Sequence, residues 1–157
     1  MRIPLRTIAA ILVVALLGTA TVFAAGDARP IKQLMGDNFQ NIHKILNDLI
    51  TSNYATLPRD VGVIRQHAEV LAKSPPAGIK TEDDRLLFIG YATNLRSTAS
   101  GLIVVTEELI RRDKLPVATG ELRIDYLRAV AASHFGSMIT ACVLCHNQFR
   151  RVVVPTK

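Results

Sequence analysis

The sequence predicts an all-α protein, an antiparallel four-helix bundle, and three observations predict it. Apolar residues recur at three- and four-residue spacing along four long stretches. Glycine and proline fall mainly between those stretches rather than inside them. The period-two alternation of a half-buried strand is almost absent. Amphipathic helices joined by a few to about ten residues favour antiparallel neighbours.

The first helix is expected in "PIKQLMGDNFQNIHKILNDLIT", where Pro30 suits a first turn and Ile31, Met35, Ile42, Ile45 and Leu49 form an apolar stripe. Gly36 within it lowers helix propensity by about 1 kcal/mol relative to alanine. The second, "RDVGVIRQHAEVLAKS", puts Val63, Ile64, Ala68 and Leu71 near one face and is stopped by Pro75 and Pro76. The third opens with "TEDD": Thr81 can cap, and the acidic residues behind it suit the positive end of a helix. Its last turn is basic, at Arg111 and Arg112. The fourth starts between Pro116 and Glu121, runs to about Arg151, and lines up Leu127, Ala131, Phe135, Met138, Cys142 and Phe149.

Ahead of these lies a different kind of segment. "MRIPLR" carries two arginines before the apolar run "TIAAILVVALLGTATVFAA", after which polarity returns at Gly26 and Asp27. This is the pattern of a secretory signal peptide over residues 1–25, leaving 26–157 as one exported, periplasmic domain with one core. The run is also close to the length that spans a bilayer, so an uncleaved leader would serve as a membrane anchor. Removing Arg2 and Arg6 with the leader leaves 17 basic against 13 acidic residues. That mild excess is spread along the chain without aromatic interleaving, which argues against nucleic-acid binding. No paired carboxylates, nucleophile with its base, or phosphate loop stands out, so the chain is not expected to be an enzyme.

The only two cysteines sit in "CVLCH", residues 142–146. A disulfide between them would close a trivially short loop. A thioredoxin-like pair belongs at the start of a helix in a βαβ setting, and zinc normally needs a second pair of ligands that the chain does not offer. What remains is C-x-x-C-H, the pattern of covalent haem attachment. Cys142 and Cys145, one turn apart, can each form a thioether to the porphyrin edge, and His146 can offer its imidazole to the iron. One haem c per chain is therefore expected, near the C-terminus of the fourth helix.

With the motif in that position, the chain resembles the class II c-type cytochromes, the group that includes cytochrome c′. "CVLCHNQFR" is similar to the family pattern CxxCHxxYR, with Phe149 in the tyrosine position and Arg150 in the arginine position, and "LMGDNFQNI" resembles the family's first-helix segment. The middle two helices carry no motif, and the aromatic-rich entry common in the family's third helix is missing. The resemblance implies a four-helix bundle and periplasmic or membrane redox proteins as partners, and it admits a homodimer through the first two helices. It also implies one of two functions. Some members are low-spin electron carriers with a first-helix methionine as sixth ligand; others are five-coordinate and bind nitric oxide or carbon monoxide.

Met35 is the candidate sixth ligand, since Met1 leaves with the leader and Met138 shares a helix with His146. A thioether favours ferrous iron and raises the potential, as suits an electron carrier. In an alternative register the distal position falls on Lys32, which would have to shed a proton against an ordinary pKa of about 10.4, and Met35 would only line the pocket. Arg150 is expected near the haem propionates or the proximal imidazole, and Phe149 at the haem edge. Arg29 could pair with a propionate. His43, His67 and His134, one on each of three helices, are expected as surface or internally satisfied histidines.

Overall fold

The computed structural model describes residues 31–114 and 121–153. Within them lie four α-helices: α1 (Ile31–Ile50), α2 (Leu57–Lys73), α3 (Glu82–Asp113) and α4 (Glu121–Val153). A 3-10 turn, Tyr54–Thr56, precedes α2, and the described residues contain no strand. The leader over 1–25, Arg29, Pro30, the join around Pro116 and the side chain of Arg150 lie outside the described residues.

Each helix boundary has a local cause. The turn after α1 is closed by the Asn53 amide donating to the Asp48 carbonyl at 2.8 Å, around Ser52 at φ 57°. The helix α2 starts with Pro58 in its first turn and ends at Ser74, before Pro75. Thr81 caps α3 as expected, its hydroxyl accepting from the Asp84 amide at 3.1 Å. At the other end Arg111 and Arg112 both bond to Glu108.

The named contacts run antiparallel. Between α1 and α2, His67 meets Asn38, Asp60 meets Lys44, and Thr56 meets Asp48. Between α3 and α4, Phe88 packs edge-on to Phe149 with ring centroids 5.5 Å apart, while Gly101, farther along α3, lies under the imidazole of His134. A methyl group at Gly101 would collide with that ring, so the glycine is what lets the two helices close over a histidine. The larger core cluster joins all four helices through Ile45, Leu57, Val61, Ile64, Leu102, Met138 and their neighbours. A second cluster closes one end with Leu34, Leu71, Phe88, Ala92 and Phe149. Each fully buried side chain of this size stabilises the fold by roughly 1.5–3 kcal/mol.

The apolar stripe of α1 differs from the sequence expectation. Of Ile31, Met35, Ile42, Ile45 and Leu49 only Ile45 is fully buried, and the residues that go deepest are Leu34, Asn38, Ile45 and Asp48. Two of those four are polar, and each is bonded across the helix seam or its turn. Asp48 accepts from Thr56 at 2.7 Å and Asn53 at 3.2 Å. In the described residues no buried side-chain nitrogen or oxygen lacks a partner.

Asp60 supplies a pH-dependent tether between α1 and α2. Burial would raise its pKa, but hydrogen bonds from Lys44 and Arg59, with their positive charges, outweigh that and hold the carboxyl below its ordinary value of 3.8. A carboxyl depressed on folding stabilises the native state fully above its unfolded value, and that contribution is lost as pH falls through the folded value. Asp60→Asn should cost about 1 to 2 kcal/mol at neutral pH. In urea unfolding, the gap between wild type and variant should narrow below pH 3.8 and stay constant above pH 5.

Candidate functional site

Cys142, Cys145 and His146 lie in the C-terminal half of α4, where the helix has no break, so the cysteines stand about one turn apart. Cys142 packs against the larger core cluster and Cys145 against the end cluster; both are partly buried. Burial pushes both thiols up to about 11, with the neighbouring Cys142 adding to the effect at Cys145. A reactive redox dithiol needs the opposite shift. His146 is exposed.

The helices do not meet equally. The α2–α3 and α3–α4 seams are closely packed along their length, whereas α1 leans mainly on α2 and approaches α4 at few points. A cleft of about 400 Å³ lies in the α1–α4 seam at the far end from the cysteines, between Leu46, Leu49 and Ile50 on one side and Ala131, Ala132 and Phe135 on the other. The exposed apolar side chains Phe39, Leu46 and Ile50 of α1 and Val143 of α4 add to this open character. The segment Arg123–Phe149 is long and apolar enough, by length and composition, to cross a membrane, yet only 17% of its most apolar window is buried. Tyr126, Val143 and Leu144 on this helix are exposed.

The cleft shows which faces of α1 and α4 turn toward each other. Leu46 and Phe135 line it together. Eleven residues back from Leu46 is Met35, and eleven residues on from Phe135 is His146. Eleven residues make almost three whole turns, so both steps return to the same helix face. Met35 therefore lies on the face of α1 that carries Leu46, and His146 on the face of α4 that carries Phe135. Met35 is partly buried and shares the end cluster with Cys145. Lys32, three residues before Met35, is exposed.

The other sequence candidates fall elsewhere. Phe149 is buried between Phe88 and Tyr91, toward α3. Met138 is fully buried in the larger core. His43 is exposed and stacks edge-on to Phe39 at 4.5 Å; His134 covers Gly101; and His67, 1% exposed, bonds to Asn38. That buried Asn38–His67 pair is the feature of this region that the sequence did not single out as a pair. Its only trace is the DN that follows LMG in the first helix. Among the described residues no three His, Cys, Asp or Glu side chains converge as a metal-binding group.

No protein-family model, curated protein or solved structure matches the chain. The class II likeness accordingly rests on its two quoted stretches and on the helical architecture.

Proposed function

We propose that the protein is an exported monohaem c-type cytochrome that carries electrons, with haem c bound through Cys142 and Cys145, His146 as proximal iron ligand and Met35 as distal ligand. What supports this reading is that Met35 and His146 lie on the helix faces that carry the cleft-lining Leu46 and Phe135, along the sparsely packed α1–α4 seam. The residues present fit a flat apolar group attached at α4: two thiols a turn apart, an exposed imidazole beside them, and apolar surface left uncovered on the same helix.

When bound, haem supplies one-electron chemistry between ferrous and ferric iron. The chain's own contribution is to bind and tune it. Cys142 and Cys145 would anchor the porphyrin edge, and His146 would give a fixed nitrogen ligand from a rigid helix. The apolar side chains Phe39, Ile42 and Phe135 would exclude water, and Met35 would favour the reduced state. A carrier of this kind requires no substrate pocket, and its partners would be redox proteins on the exported side of the membrane.

The test is the absorption spectrum of the reduced protein with and without carbon monoxide, alongside haem staining after denaturing electrophoresis. A stained band and a low-spin spectrum little altered by carbon monoxide are expected. A stained protein that binds the gas readily would replace the carrier with the five-coordinate, gas-binding alternative.

A further inference from the structure

The apolar surface of α1 wraps from Leu34 and Ile45 in the core, through Ile42 and Leu49, to the exposed Phe39 and Leu46. Apolar contact alone defines the rotation of such a helix poorly, because turning it exchanges one apolar side chain for another at little cost. A buried hydrogen bond is directional and breaks that degeneracy. Asn38 and His67 are 4% and 1% exposed, and the His67 Nδ1 lies 2.7 Å from the Asn38 Oδ1. The amide oxygen accepts, so Nδ1 carries the proton and donates. Asn38 follows Met35 by three residues and is its neighbour on the helix surface. The other tethers of α1, from Lys44 to Asp60 and from Thr56 to Asp48, act nearer its far end.

We infer that the Asn38–His67 hydrogen bond sets the rotation of α1 that turns Met35 toward α4, making His67 a positioning residue for the sixth iron ligand. The inference rests on the reading of Met35 as that ligand. If α1 turned to bring the Asn38 amide to water, Met35 would leave the facing stripe. The histidine is on α2 and takes no part as a ligand; its role is to make one rotation of the neighbouring helix the satisfied one.

The holoprotein and three variants test this. His67→Leu should become partly high-spin and take up carbon monoxide at least about tenfold faster, in proportion to the fraction of molecules without the methionine bond. His67→Gln keeps a donor and should restore the low-spin spectrum. The double variant Asn38→Leu, His67→Leu leaves no buried amide unpaired and should regain its urea midpoint while staying open to carbon monoxide. Should His67→Leu fail to accumulate as holoprotein, the double variant carries the same comparison. Wild-type spectra and gas uptake in His67→Leu would overturn the inference alone, as would a double variant that regains ligation together with stability. A wild type that is already high-spin overturns the Met35 reading, and the positioning role with it, before any variant is made.

Discussion

Replacing Met35 with alanine is expected to convert a low-spin protein into a high-spin one that binds carbon monoxide readily, and to lower the reduction potential by on the order of 100 mV. Axial ligation spans about 0.8 V among haem proteins, and loss of a thioether removes a ligand that prefers ferrous iron. Met35 also packs in the end cluster beside Leu34 and Phe88, so alanine should cost roughly 1 to 2 kcal/mol of stability as well. Met35→Leu separates the two effects: it should preserve packing and still show the spectral change. Lys32→Ala, at an exposed position a turn earlier, should leave the spectrum and potential unaltered. If the lysine variant alone changed the spectrum, the Met35 assignment would be wrong and the alternative placing Lys32 at the distal position would replace it.

The double substitution Cys142→Ala, Cys145→Ala should abolish haem staining on a denaturing gel, whereas either single substitution leaves one thioether. Mass spectrometry after unfolding in iodoacetamide gives an independent reading. Wild-type holoprotein should take up no alkyl groups, and protein matured without haem should take up two. In the folded, haem-free protein the same labelling should be slow, because thiols pushed up to about 11 hold roughly a hundredfold less thiolate than ordinary ones at neutral pH. Unfolded wild-type protein that labels twice after maturation in a competent host would rule out covalent attachment. The double variant should also be markedly less stable, since the apolar surface left over on Arg123–Phe149 would have nothing to cover it.

The helices were legible because their signals are local: the Thr81 cap, the proline pair after α2, and the three-and-four spacing all act within a few residues. The depth of α1 was not. A hydrophobic pattern cannot see that Asn38 and Asp48 are buried, because what makes burial tolerable is His67 on one side and Thr56 with Asn53 on the other, residues distant in sequence. Of the apolar residues that the pattern marked instead, Leu49 lines the α1–α4 cleft, and Met35 and Ile42 are only partly buried against the core clusters. The CVLCH pattern, three residues at fixed spacing, was legible, and so was its place on the last helix. The Met35 and Lys32 alternatives could not be separated by sequence, since choosing between them needs the position of α1 relative to α4.

The unequal seams divide the molecule into parts of different permanence. Helix α3 is closely packed against both α2 and α4, while α1 is held chiefly along one flank. Segments with few packed contacts open more often than the global unfolding rate, as cooperative units of their own. Were α1 to open as such a unit, it would pivot at the turn around Ser52. In a haem protein so constructed, an outside molecule would reach the iron no faster than α1 swings away. Its entry rate would level off as its concentration rises, at a ceiling set by the grip of one helix on another.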